Sequence, residues 1–412
     1  MSCKISGTIA VILTATCAGS VGAEAPDPGD FAILPWGWLN DASPEALAEM
    51  KACGFNLAGF VAPEHVEAVA AAGLKAFVSD GRLLAQARNE DITEAEARAL
   101  AEEVSSPWVG NPAVFGYYIV DEPSARFAPN LGILAHAVKA AHPGAIPYVN
   151  LLPTYASAVS QLEAETYEAY LEAFARALPP DYLSYDHYAL MTDGSLRDGY
   201  FQNLEAMRKV TLAHGIPFWN IVLSNAHFCY AEPTPAGFRF QAYTSLAYGA
   251  RGISYFTYFT PHIGNYRLAP IDPFGNKTPT WHMLREVNLE LHQLAPIYNG
   301  LESINVFHMG AMPGGCQDES TAQVVSKVTW SSDYETRTEQ TGVVVGEFKD
   351  QSDTPHAIVV NKSLHDSISF EIAFKKEGPV ERISPFDGQP AAFTGEQQWL
   401  APGQGMLLRV KP

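Results

Sequence analysis

Between residues 30 and 300, short apolar runs alternate with longer stretches in which apolar positions recur every three or four residues. The short runs read as buried strands and the longer ones as amphipathic helices. Eight strand candidates emerge, at 30–36, 55–60, 74–79, 114–120, 147–152, 182–188, 217–223 and 251–259. Helix ends are marked between them. Ser43 before Pro44 and Glu45 is an N-cap signal, and Thr93 with Glu96 three residues on spells a capping box. Gly54, Gly73 and Gly215 stand where helices should stop.

Strand and helix in alternation imply an α/β fold with a parallel sheet and crossover helices. Eight pairs in roughly 270 residues is the count and size of a (β/α)8 TIM barrel. An open doubly wound sheet competes, but the first strand is followed by Pro35, Trp36, Gly37 and Trp38 rather than a Gly-rich phosphate loop. Beyond residue 300 the runs 343–348, 356–361, 367–374 and 405–410 read as strands with no helices between them. Ile368, Phe370, Ile372 and Phe374 alternate with small or polar residues, as in a half-buried antiparallel strand. The expectation is a barrel over 24–300 followed by a small antiparallel β-sandwich over 301–412.

The first 23 residues carry Lys4, an apolar run from Ile9 to Ala15, and Val21, Gly22 and Ala23, which read as a secretory signal cleaved after Ala23. A lipid anchor at Cys17 is the other reading, but Thr16 precedes it where Gly, Ala or Ser is usual. A secreted or periplasmic protein with no membrane span is expected, since no later run reaches the ~18 apolar residues a span requires. Cys53, Cys229 and Cys316 are too scattered for a disulfide framework or a CxxC metal site, and Cys53 reads as a buried small hydrophobe.

A formal charge of −19 argues against nucleic acid or an anionic membrane as partner. Arg82, Arg126 and Arg251 could still make one cleft locally positive. The sequons at Asn276 with Thr278 and Asn361 with Ser363 would matter only in a eukaryotic secretory pathway.

A barrel of this type builds its site from the carboxyl ends of its strands. The fourth strand ends in Asp121, Glu122 and Pro123, and carboxylates leaving a hydrophobic strand lose hydration and repel each other unless they are used or paired. Salt bridges to Arg82 or Arg126 would make them caps; the chemical reading makes Glu122 a general acid tuned by burial. Asp121, its neighbour, should face the other way and play a supporting part. Other strand ends supply rings to stack on sugars and polar groups to bind hydroxyls: Trp36, Trp38, Asn40, Asp80, Asn150, Asp186, His187, Tyr188, Ser224, Asn225, His227, Tyr258 and His262. Tyr255, Phe256 and Trp219 read as packing. No HExxH, paired His or Asp-rich loop suggests a metal, no G-x-S-x-G elbow occurs, and no cofactor is implied.

The run GYYIVDEPS at 116–124 resembles the fourth-strand motif that carries the acid/base glutamate of secreted barrel enzymes in the retaining β-glycosidase superfamily, particularly β-galactosidase-like proteins. PTPAGFRFQAYTSLAYGARGISYFTYF at 233–259 is similar to their seventh helix and eighth strand, and VGEFKD, IVVNKS and WLAPGQGMLLRV to the β-sandwich that follows. The resemblance implies an acid/base role for Glu122 and a nucleophilic glutamate at the end of strand seven. This sequence departs there: 217–228 reads PFWNIVLSNAHF, with no carboxylate before Glu232. Asp186 is the best-placed alternative, with Glu232 and Asp272 behind it. The leading expectation is hydrolysis of a glycosidic bond in a polysaccharide or oligosaccharide. A non-catalytic carbohydrate-binding protein, and a polysaccharide lyase using Tyr188, His187 and Arg82, are the competitors.

Overall fold

The computed structural model describes residues 31–332, 341–394 and 398–412. The expected signal at 1–23, with its Cys17 alternative, lies outside the described residues. All eight expected barrel strands form. They are β1 (Ala32–Pro35), β2 (Leu57–Val61), β3 (Lys75–Val78), β4 (Val114–Asp121), β5 (Ile146–Leu151), β6 (Leu183–Asp186), β7 (Phe218–Leu223) and β8 (Gly252–Phe256). They pair in parallel in the order β1-β8-β7-β6-β5-β4-β3-β2. Just past β1, Phe60 N donates to the Gly37 carbonyl at 3.0 Å and Leu39 N to the Phe60 carbonyl at 2.9 Å, which brings β1 and β2 together and nearly closes the barrel.

The caps read from sequence are in place. Ser43 Oγ accepts from Ala46 N, Thr93 and Glu96 bond reciprocally, and Gly215 ends its helix at φ +65°. Inward-facing positions form a plug of rings: Trp36, Phe60, Phe77, Tyr118, Tyr148, Tyr182 and Trp219 share one cluster. Tyr118 stacks on Phe60 at 4.0 Å and Trp219 on Tyr182 at 4.7 Å. This plug is the floor on which the site stands.

One irregularity decides what stands there. Along β4 and β5, Tyr118 pairs with Tyr148, Val120 with Val149 and Asp121 with Asn150, so β4 carries an extra residue. Ile119 and Val120 both pack outward among the helices. The bulge therefore returns Asp121 to the inner side with Tyr118, against the simple alternation expected of it.

The last barrel helix ends at Tyr298, and a second set of strands begins at Glu302. These are β9 (Glu302–Gly310), β10 (Val325–Ser331), β11 (Gly342–Lys349), β12 (Pro355–Asn361), β13 (Ile368–Phe374), β14 (Val380–Ile383), β15 (Pro390–Ala392), β16 (Trp399–Leu400) and β17 (Gly405–Val410). A six-stranded sheet, β15-β14-β17-β12-β11-β9, faces a three-stranded one, β10-β13-β16. Val343, Val345 and Val359 face the small sheet, whereas Val344, Phe348 and Val360 join the barrel's cluster. The six-stranded sheet is thus buried on both faces, which accounts for the unbroken Val343-Val344-Val345 run.

Contact with the barrel is close enough to be tested. A Cβ on Gly346 would fall 2.1 Å from the Ala247 carbonyl oxygen in the barrel helix Pro235–Ala247. Because backbone cannot yield as a side chain does, Gly346→Leu is expected to destabilise the whole chain by about 3 kcal/mol or more, read as a lowered denaturation midpoint. Cys53, Cys229 and Cys316 are all free thiols, and Cys53 is buried as read. Among the described residues no helix is long and apolar enough to cross a membrane. Asn361 is buried with its amide donating to the Asp366 and Ala401 carbonyls, so its sequon is closed to an oligosaccharide.

Candidate active site

Glu122 follows the last residue of β4 with φ +48°, a left-handed conformation that costs a residue with a Cβ on the order of 1 kcal/mol. Its backbone is pinned, because Glu122 N donates to the Asn150 carbonyl at 2.9 Å and the next carbonyl, Pro123 O, accepts from Tyr170 OH at 2.8 Å. The turn swings the side chain to the mouth of the barrel. There it meets two more carboxyl groups, Asp121 beneath it and Asp186 at the end of β6.

Asn150, buried on β5, is the hub of this group. Its Nδ2 donates to Asp121 Oδ1 and Asp186 Oδ1, each at 3.0 Å, while its Oδ1 accepts from Ser184 Oγ at 3.1 Å. Ser184 in turn meets Tyr148 OH at 2.8 Å, which ties the carboxylates to the aromatic floor. Glu122 and Asp186 lie within hydrogen-bond reach of each other, so the two carboxyls titrate as a pair.

Three acids so close in a poorly hydrated place cannot all ionise at ordinary pH. Glu122 reaches solvent at the mouth, yet the protein atoms crowded round its carboxyl and then the Asp121 charge push its pKa up to about 7; the Asp186 hydrogen bond and Arg88 pull it back. Burial, followed by the charges of Glu122 and Asp121, holds Asp186 well above the usual aspartate range. Burial also raises Asp121, against hydrogen bonding by Asn150 and the field of Arg88.

Arg82 and Arg126, expected to cap the acids, and Arg251, expected to make the cleft positive, are engaged elsewhere. Arg82 binds Asp80 and Glu103, both at 2.6 Å, and Arg126 binds Glu163 at 3.2 Å and Glu90 at 3.6 Å. Arg251 donates to the Tyr298 and Leu301 carbonyls at the far end of β8. Among the described residues none of Asp121, Glu122 and Asp186 has a salt bridge. Nor is any group of three His, Cys, Asp or Glu side chains arranged there to hold a metal ion.

Around this centre the residues singled out from sequence divide into three groups. Trp38 stands exposed at the rim, its Nε1 donating to Ser79 Oγ at 3.2 Å and its ring 5.8 Å from Tyr118. Tyr188 lies half-buried beside the acids and stacked on Phe256 at 5.4 Å. Asn40 and His262 line a separate hollow of about 300 Å³ with Tyr258 and Asp272.

The third group is held within the protein by hydrogen bonds, ion pairs or packing, although His187 Nε2 has no partner among the described residues. Asp80, its pKa lowered chiefly by the Arg82 hydrogen bond, also caps the helix Gly81–Gln86. His187 is buried on Asn203 at 3.0 Å and pushed down to about 4 by burial. Asn225 is buried between Thr257 and His227, Ser224 donates to the Thr257 carbonyl, and Tyr258 OH accepts from Trp281 Nε1 at 3.2 Å. Trp36 is buried at 7% exposure beneath Trp38. Glu232 is held at the rim by Arg267 at 3.1 Å, and Asp272 caps its own loop through the amides of Phe274 and Asn276.

Asp186 was expected across the scissile bond from Glu122. The structure brings its carboxyl directly against that of Glu122, and each shifts the pKa of the other. Sequence reasoning passed over Arg88, Tyr155, Arg197 and Tyr230, which lie deep in the loops after β3, β5, β6 and β7 rather than at strand ends. Looking eleven residues past each strand would have found them.

No family model and no curated protein matches this chain. Solved structures with the same architecture do. The β-galactosidase from Bacillus circulans sp. alkalophilus superposes with a TM-score of 0.59 at 8% identity, over 93% of this chain and 99% of that one. A family 5 glycoside hydrolase from Bacteroides vulgatus ATCC 8482 follows with 0.53 at 13% identity, over 92% of this chain and 88% of that one. Of the β-galactosidase from the psychrophilic Marinomonas ef1, at 0.46 and 11% identity over 65% of this chain, the match spans 60%. At such identities the first two likenesses establish the shared fold, a barrel with antiparallel sheets after it.

Proposed function

We propose that the protein is a glycoside hydrolase whose proton donor is Glu122. The observation that carries this reading is the cluster of three carboxyls on stiff strand ends, without a salt bridge among the described residues, one of them poised near neutral pH. Such a group gives up a proton to a leaving oxygen readily and takes one back from water just as readily. The fold shared with glycoside hydrolases supports the reading.

In the proposed reaction, protonated Glu122 transfers its proton to the glycosidic oxygen as the carbon–oxygen bond breaks. Asp121, held by the Asn150 amide and in the field of Arg88, faces the positive charge that develops at the anomeric carbon. Water then adds to that carbon and returns a proton to Glu122. Asp186, kept neutral by burial, holds the Glu122 carboxyl in place and acts as a positioning residue. Trp38 offers the stacking face for a sugar ring at the rim.

The test is release of new reducing ends from a panel of oligosaccharides; if none is cleaved, the reading fails. Binding without turnover would favour a carbohydrate-binding protein, a reading supported by the lack of a carboxylate at the end of β7. The lyase set is not assembled, because Arg82 is tied to Asp80 and His187 to Asn203.

A pH profile adds a sharper check. Activity that needs protonated Glu122 is lost as pH rises through about 7. Asp121→Asn removes a charge that raises this pKa, so the alkaline limb is expected to move to lower pH. An unmoved limb would show that Asp121 does not tune the donor.

A further inference from the structure

Two arginines flank the acids, and among the described residues neither forms a salt bridge. Arg88, exposed after β3, rests its Nη2 on the Asp121 carbonyl at 3.2 Å, within the fields of both Asp121 and Glu122. Arg197 lies on the opposite side, in the loop after β6. A small hairpin, Leu190 bridged to Leu196, fixes its backbone, and Arg197 N donates to the Ala189 carbonyl at 2.7 Å. Its guanidinium carbon lies over Tyr155, 3.6 Å from the ring centre, and Nη1 donates to Tyr230 OH. The hydroxyls of both tyrosines sit in the field of Asp186, so Arg197 is one aromatic layer from the carboxyl cluster.

Among the described residues neither arginine has a salt bridge, in a chain with 45 acidic against 26 basic residues. Arg197 also walls a cavity of about 920 Å³ between the barrel and the sandwich, shared with Gln202, Lys362 and His365. Lys362 is buried there with its Nζ on the Ala311 carbonyl and, among the described residues, no salt bridge. Of the acids on this wall, Asp193 is spent on the Ser195 amide and hydroxyl at 3.0 and 2.6 Å, and Asp198 makes no ion pair among the described residues.

A planar guanidinium held by stacking keeps most of its donors free in a fixed fork, the arrangement that binds carboxylate or sulfate in two places at once. We propose that the cleft takes an acidic saccharide, bearing carboxylate or sulfate groups, with Arg88 and Arg197 reading its charge. This rests on the hydrolase reading for the chemistry but not for the binding. Arg88 would hold an anionic group on the sugar next to Glu122, and Arg197 one further along, toward the cavity. A neutral glycan would leave both forks to water.

The experiment is calorimetric titration of a Glu122→Gln protein, which binds without turnover, with trigalacturonate, a sulfated carrageenan-derived tetrasaccharide and neutral galactotriose. At least one acidic probe is expected to bind about tenfold tighter than galactotriose, and the tighter of the two identifies carboxylate or sulfate. Arg197→Gln in that background should cost the acidic probe about tenfold and galactotriose less than twofold, with Arg197→Lys in between because it keeps charge without the fork. Arg88→Gln, at an exposed site, should act in the same direction.

If galactotriose binds as tightly as both acidic probes, or if the arginine variants weaken all probes alike or none, the proposal is overturned. Turnover by the unmodified protein is read separately. Charge-selective binding with no hydrolysis would sink the hydrolase reading and leave this one standing, whereas cleavage confined to neutral glycans would do the reverse.

Discussion

Glu122→Gln is expected to lower turnover of the natural saccharide by about 10²–10⁴-fold while leaving binding largely intact. The substitution keeps the size of the side chain and most of its hydrogen bonds but removes the proton that must reach the leaving oxygen. An aryl glycoside with an activated leaving group should be spared in proportion, because it departs without full protonation. Stability supplies an independent control. A carboxyl whose pKa is raised on folding, here to about 7, weakens the fold as pH climbs from its unfolded value through the folded one. The neutral amide avoids that loss, so the variant should melt no lower than the unmodified protein at pH 8, and higher if burial is the cause. An inactive variant that melts well below it would mean that Glu122 holds the mouth together rather than acting on substrate.

The barrel was legible because its signal is periodic and repeated. Each of the eight apolar runs is a strand, and the capping residues mark helix starts by a local hydrogen bond that needs no tertiary contact. In the sandwich the four strands read from sequence are β11, β12, β13 and β17. β9 escaped notice because its buried positions include polar residues, satisfied only across space: Asn305 donates to Glu347 at 2.8 Å and His308 meets Tyr248 OH at 2.8 Å. A pattern of apolar and polar letters cannot register a partner forty or sixty residues away.

The site was legible in part for a related reason. Glu122 stands at a strand end, where counting alone finds it. Asp121 was turned the wrong way because alternation assumes a regular strand, and the bulge at Ile119 and Val120 is visible only in the pairing of β4 with β5. Asn150 was read as a ligand for sugar hydroxyls, whereas both of its amide functions are consumed in joining Asp121, Asp186 and Ser184. What sets these roles is which polar atom satisfies which, and residue type does not specify that.

Trp36 and Trp38 put the distinction to a direct test, since both were read as platforms for sugar. Trp36 is 7% exposed, with its ring 4.7 Å from Phe60, 5.7 Å from Tyr148 and 6.1 Å from Tyr118, and it belongs to the aromatic plug. Trp36→Ala is therefore expected to cost about 3–5 kcal/mol of stability, because the removed ring leaves a cavity among partners that cannot collapse into it. Trp38 is 56% exposed and loses little packing on truncation. Trp38→Ala should leave the melting temperature nearly unchanged and weaken saccharide binding, which a stacking contact with a sugar face requires. Thermal melting and calorimetric titration of the two variants separate the roles. Equal losses of stability would make Trp38 a second piece of the floor, and an unchanged affinity in Trp38→Ala would remove the rim from the binding site.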